Sequence, residues 1–371
     1  MTRGELVIKY DGTAVDRTWY SGHTLDYPVI TNTETLASDV PQDHPEVDRL
    51  LLAVPGVWEM NPARVNYRGE AYEGSLTLSA PDHMDPVTIH VAVRAAERSV
   101  FKIDLHLPGA PLWSPDHPAL IQVQAQLSNE DGNFDDLIER TGLRSVRVEK
   151  RKILLNDTPI RLAGFNRHED HPDFGCAIPI SIMLKDIELM RSMGANAVRG
   201  SHYPNDDRFL DLCDEFGLLV WDENHARGLR DDNFKHPKLR EQCLACNEEM
   251  VTQHFNHPEH QDHQGLAERP LIISEFGAGA FFGYRDAIRR GKWSEERQCD
   301  LLEELFADFC NNDRVEGLFI WQFCDVRVDE SWAMGRPRAM NNKGVVDEHR
   351  RPKLSVDVVR HWLKKWLSEE L

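Results

Sequence analysis

The feature that most constrains this 371-residue chain is a recurrence in its second half: apolar runs that each end in a cluster of polar and aromatic residues. "IRLAG" leads into Phe165, Asn166, Arg167, His168 and Glu169, and "NAVRG" into Ser201, His202 and Tyr203. "LLVW" leads into Asp222, Glu223, Asn224 and His225, "LIIS" into Glu275 and Phe276, and "GLFIW" into Gln322 and Asp325. Short apolar runs without alternation read as strands buried on both faces, the habit of parallel sheets. Amphipathic helices lie between them. Residues 182–193 place Met183, Ile187 and Met190 on one face with Gly194 as a stop. Residues 205–216 repeat the plan, with Asn205 as the N-cap, an acidic first turn and Gly217 behind. Strand–helix–strand units make parallel sheets with right-handed crossovers. Strands that all deliver polar groups at their carboxyl ends are how a (β/α) barrel builds its active site.

Upstream the pattern is different. "SLTLSA", "VTIHVAVRAA", "LIQVQAQLS" and "LRSVRVEK" alternate apolar with polar residues between turn-forming Pro, Gly, Asp and Asn. The chain therefore reads as multidomain: an antiparallel β-sandwich over 76–148, then a barrel-type domain over 149–371. Residues 1–75 lack enough strand-like runs to close a sheet of their own.

A formal net charge of −19 argues against nucleic acid and against anionic membrane as partners. No apolar run approaches the length of a membrane span, and the start of the sequence has no apolar leader core. Seven scattered cysteines read as reduced thiols. The expectation is a cytoplasmic protein.

The strand ends carry mainly carboxylates, with histidine, arginine and tryptophan beside them. No dinucleotide fingerprint completes "GAGAFFG", and no nucleophile elbow is present, so no cofactor is expected. Carboxylates with aromatics at a barrel mouth suit glycoside hydrolysis, in which one carboxylate attacks the anomeric carbon while another handles the proton.

Six motifs in order, "GFNRHEDHP", "NAVRGSHYPND", "LIISEFGAGA", "KWSEERQCDLLEELF", "GLFIWQFCD" and "NNKGVVDEHRRPKLS", resemble those of family 2 glycoside hydrolases, the β-galactosidase and β-glucuronidase group. The resemblance implies a sugar-binding jelly roll, an immunoglobulin-like β-sandwich and a (β/α)8 TIM-type barrel. Residues 1–75 would then be a jelly-roll remnant and 76–148 the immunoglobulin-like domain. It further implies Glu275 as the nucleophile of a retaining mechanism. Asn166, His168, Asp170, Arg199, His202 and Trp321 would line the sugar pocket. Asn341 and Lys343 match an Asn-x-Lys signature that holds a uronate carboxylate, an anion suited to an ammonium donor. The implied substrate is a terminal β-D-glucuronide, with a β-D-galactoside next; a plain loop turn is the other reading of "NNKG".

The sequence departs from the family where the acid/base belongs. "HFNHP" is followed by "EHQDHQGLAERP" and then directly by the nucleophile strand, so no apolar run lies between Val251 and Leu271. About three central barrel strands are missing, and with them the acid/base glutamate. The expected consequence is impaired turnover, with a non-catalytic carbohydrate-binding remnant or a poorly folding deletion product as alternatives. Glu223 and Glu259 are the substitutes on offer. Open sheet edges of this kind are also compatible with a homo-oligomer. His254, His257, His260 and His263, with Cys243 and Cys246 ahead of them, superficially suggest zinc. The cysteines fit a helix interior, however, and the histidines fit the seam of a deletion, so no metal is expected.

Overall fold

The computed structural model describes residues 4–10, 71–94, 99–130, 132–224, 270–328 and 339–368, together with 238, 239, 241–243 and 246. The histidines at 254–263, Glu259 and most of the first 75 residues lie outside this part, and with them the metal reading, the missing-strand reading and the jelly-roll reading.

The amino-terminal half is antiparallel. Strands β1 (Gly4–Tyr10), β2 (Tyr72–Ala80), β3 (Met84–Val93), β4 (Ser99–Leu105), β5 (Ile121–Asn129) and β6 (Gly132–Thr141) form a four-stranded sheet ordered β3-β2-β5-β6 and a separate β1-β4 pair. The sheet exists because its strands alternate: Ile121, Val123, Ala125 and Leu127 of β5 point inward with Leu76 and Leu78 of β2. Sequence reading missed β1, which pairs with β4 residue for residue from Gly4 opposite Leu105 to Tyr10 opposite Ser99. A small antiparallel sheet of β7 (Val146–Glu149), β8 (Lys152–Leu155) and β9 (Thr158–Ile160) follows.

The carboxyl-terminal half is an arc of parallel strands. In chain order it contains β10 (Leu162–Arg167), α1 (Ile180–Ser192), β11 (Ala197–Gly200), α2 (Asp207–Phe216), β12 (Leu219–Trp221), β13 (Leu271–Phe276), α3 (Glu295–Cys310), β14 (Val315–Ile320), β15 (Val326–Arg327), β16 (Met340–Asn341) and α4 (Ser355–Ser368). The parallel order is β12-β11-β10-β14-β13. The last long strand thus lies against the first, as in a barrel, while β12 and β13 end the arc among the described residues. Among the described residues this is part of a (β/α) barrel, following an antiparallel sheet as the expected fold class has it.

Met183, Ile187 and Met190 of α1 are fully buried against this sheet, as their spacing requires. The N-cap of α2 is Asp206, whose side chain accepts from the Arg208 amide at 2.9 Å, and not Asn205 as read from sequence. Asn205 is drawn inward instead: it donates to the Tyr203 carbonyl and accepts from Arg167. Gly217 ends α2 at φ 75°, a left-handed conformation open to glycine.

The two halves meet at Trp113. Its fully buried ring lies beneath the Arg144 guanidinium, 4.5 Å away, and its Nε1 donates to the Asp214 carbonyl of α2 at 2.7 Å. Arg191 of α1 reaches back to the Pro115 carbonyl at 3.2 Å. The antiparallel half is therefore bonded to the outer helices of the arc, on the side away from the strand ends that hold the polar cluster.

Candidate active site

Arg199, in the fully buried strand β11, organises the carboxyl ends of the arc. A guanidinium there loses its hydration and needs anions and acceptors in compensation. Its Nε donates to Glu223 Oε1 at 2.7 Å, and its Nη1 donates to Glu275 Oε1 at 2.7 Å and to Asn166 Oδ1 at 2.6 Å. Its Cζ stands 5.3 Å from the Trp221 ring. One arginine thereby holds together the ends of β10, β11, β12 and β13.

Glu275 is presented by an irregularity in its own strand. The pairing of β13 with β14 shifts register between Ile273 and Phe276, so Ser274 and Glu275 leave the ladder. The freed Ser274 carbonyl accepts from Asn166 Nδ2 at 2.9 Å and from Arg199 Nη1 at 3.4 Å. Behind it, a Cβ on Gly277 would stand 2.2 Å from the Trp321 carbonyl, so glycine permits the close approach of the two strand ends.

His202 lies between the two carboxylates. Its Nδ1 is 3.0 Å from Glu223 Oε2 and its Nε2 is 3.8 Å from Glu275 Oε1. Its ring stacks on Trp321 at 5.1 Å, and His168 meets both edge-on. Burial alone would raise the Glu223 carboxyl, but hydrogen bonds from His202 and Arg199 outweigh it and hold that carboxyl below its ordinary value. Glu275 is more open, with 41% of its side chain exposed against 21% for Glu223.

The residues read from sequence thus separate into three groups. Glu275, Arg199, His202, His168 and Trp321 form one contiguous cluster. Asn166 joins them from beneath: it is fully buried, and its amide spans the carbonyls of Ser274, Phe319 and Ile320, so it orients Arg199 and is itself shielded from solvent. Asp170 stands apart, its side chain accepting from the Arg327 amide and its carbonyl from Arg350. Asn341 and Lys343 sit on the neighbouring turn, tied to the residue after Trp321: Gln322 donates its amide to the Lys343 carbonyl at 3.0 Å and its Nε2 to the Asn341 carbonyl at 3.1 Å.

Glu223 was visible in sequence as a strand-end carboxylate, but its bond to Arg199 was not. Tyr203 was quoted in its motif without a role; its hydroxyl accepts from the Glu169 amide at 3.0 Å and lies 3.3 Å from His168 Nδ1. A separate group of His171, Asp173 and His349 has potential metal-ligand atoms within 4.8 Å of one another. The Nδ1 of His171 there already accepts from the Asp173 amide at 3.2 Å.

Residues 146–259 match the model of the glycosyl hydrolases family 2 TIM barrel domain. A family 2 β-galacturonidase from Eisenbergiella tayi, solved with galacturonate, superposes with a TM-score of 0.73 at 35% identity, over 80% of this chain and 67% of that one. The chain belongs to glycoside hydrolase family 2. Among curated relatives of this family, the β-glucuronidase of Mus musculus is 35% identical over 348 residues, covering 69% of this chain and 53% of the relative. The β-galactosidase of Photobacterium profundum is 29% identical over 276 residues, which are 70% of this chain and 27% of the relative. The chain spans about half or less of the length of these curated family 2 relatives.

Proposed function

We propose that this family 2 chain carries the nucleophile half of a retaining β-glycosidase and acts on terminal β-D-glycosides, with uronides favoured over galactosides. The observation that supports it best is Glu275 at the broken end of β13, held at 2.7 Å by Arg199 beside a histidine stacked on Trp321. A carboxylate fixed by a guanidinium, next to an aromatic face for the sugar, suits attack on an anomeric carbon. The Asn341 and Lys343 turn supports a uronide, the glucuronide first; the likeness to a β-galacturonidase adds the galacturonide. The scattered spacing of the seven cysteines supports a reducing, cytoplasmic location.

The proton donor is the weaker half. Glu223 is held ionised by Arg199 and His202, which unfits it to protonate a leaving oxygen. Losing general acid–base help costs about 10²–10⁴-fold in rate. That same observation favours a second reading, a carbohydrate-binding protein without turnover.

Nitrophenyl β-glucuronide, β-galacturonide and β-galactoside, each with and without azide, separate the two. Nitrophenolate leaves without an acid when Glu275 bonds to the anomeric carbon, and azide displaces Glu275 without a base. Azide-boosted release that disappears in Glu275→Gln is the expected result, and the fastest substrate names the sugar. Saturable sugar binding with no release under any condition would overturn it in favour of the binding protein.

A further inference from the structure

The turn that holds Asn341 and Lys343 is fixed by a buried ion pair remote in sequence from Glu275. Lys353 and Asp325 are 2% and 1% exposed, and Lys353 Nζ meets Asp325 Oδ1 at 2.7 Å. The same ammonium donates to the carbonyl of Ala280 at 2.7 Å and to that of Asn342 at 3.4 Å. Asp325 Oδ1 also accepts from the Gly344 amide at 2.9 Å, and Asp325 Oδ2 from Asn342 Nδ2 at 3.4 Å. Ala280 lies five residues beyond Glu275, and its amide donates to the Asn342 carbonyl at 2.8 Å. Gln298 of α3 closes the far side, with Nε2 bonded to the carbonyls of Ala278 and Gly344.

Every link from the pair runs to main chain or to the turn itself. Such a buried pair carries a desolvation cost that an apolar pair of similar volume would avoid. Burial pushes the Asp325 carboxyl up to about 6 even against the opposing pull of Lys353. A well-packed fold does not require this arrangement; what the pair does provide is a fixed distance between two loops. Asn341, in turn, is 8% exposed with Oδ1 unpartnered among the described residues, so the turn keeps polar capacity unused by the protein.

We propose that Asp325 and Lys353 are positioning residues for substrate selection: they lock the Asn341–Gly344 turn to the loop that follows Glu275, and so set where a sugar's carboxylate is received relative to the carbon that is attacked. This rests on the reading that Asn341 and Lys343 take a uronate carboxylate.

The test uses full-length protein, Lys353→Met and Asp325→Asn, with Lys343→Ala as the direct comparison. Uronic isofagomine and isofagomine differ in the carboxylate and need no turnover to bind. The expected result is that Lys353→Met lowers uronic isofagomine affinity about tenfold, the worth of one charge-assisted hydrogen bond, and leaves isofagomine affinity nearly unchanged. Hydrogen exchange should rise in the 339–346 and 276–282 segments alone. Asp325→Asn, which keeps an acceptor for the Gly344 amide, should fall between, and it carries the test where Lys353→Met does not fold. Equal loss of both ligands, or unchanged exchange in the two segments, would overturn the positioning role. Wild-type protein that does not prefer the uronic ligand, with Lys343→Ala inert, would overturn the carboxylate reading as well; faster exchange in the two segments would then show that the lock itself is real.

Discussion

The antiparallel sheet and the parallel arc treat charge differently. In β5 buried and solvent-facing positions alternate, whereas β11 and β14 bury every position. A polar residue on the sheet has an outward face to use. One in the arc must be matched where it stands, and the arc contains two kinds of match. Arg167 and Arg350 share Asp186 in a network sealed from solvent, with side-chain exposures of 0%, 1% and 0%. Arg199 instead holds carboxylates that open by degrees, Glu223 and then Glu275. The first network fixes α1 and the α4 approach to the strands; the second leaves one carboxylate open to solvent. Solvent access, more than charge alone, separates the two kinds of ion pair here.

Replacing each arginine would sharpen that contrast most. Arg199→Ala and Arg167→Ala should each cost about 3–5 kcal/mol in urea unfolding, since each strands buried acceptors. Only Arg199→Ala should also abolish azide-dependent release per folded molecule; equal kinetic effects would erase the distinction. At the seam between the halves, Trp113→Phe removes the donor to the Asp214 carbonyl and should cost about 1–3 kcal/mol. Tryptophan fluorescence and circular dichroism should then separate into two transitions if the halves are distinct units.

A pH dependence tests the same seam. Burial, then the nearby Asp211, raises the Glu139 carboxyl from 4.5 to about 8, with Arg140 opposing. The folded state therefore favours the protonated form. Its stabilisation is complete below pH 4.5 and is lost as pH rises through about 8, so the unfolding midpoint should fall across that window. In Glu139→Gln that part of the slope should vanish. The smallest effect belongs to the sheet's outer face: Ile138→Thr, at a residue 54% exposed, should stay within about 0.5 kcal/mol by urea titration.

The arc was legible in sequence because a continuous apolar run is too short for a helix and too apolar for a surface strand, and its polar ending marks where the strand leaves the core. The buried face of α1 followed from the helical spacing of Met183, Ile187 and Met190. What escaped depended on partners distant in the chain. Asn205 and Asp206 are equally good caps by type, and the structure chose Asp206 because Arg167 and the Tyr203 carbonyl claim Asn205. Asn166 reads as a pocket residue from its motif, yet carbonyls from β13 and β14 take up its amide. Nothing in the residues around β1 announces that it pairs with β4. The Asp325–Lys353 pair carries no periodicity, and only the folded loops bring it together.

The strand order also dictates when the site can exist during synthesis. Strand β13, which bears Glu275, has β14 as its only partner among the described strands, and β14 in turn lies against β10, made about 150 residues earlier. The sheet is therefore joined through its middle by a strand made after the other four described strands. Until residue 320 is free, no ladder among the described strands joins β10–β12 to β13, and closing so long a loop makes the joining step slow. Any chain shortened before β14 loses the seam of the sheet and not merely an edge, and with it the meeting of Arg199 and Glu275.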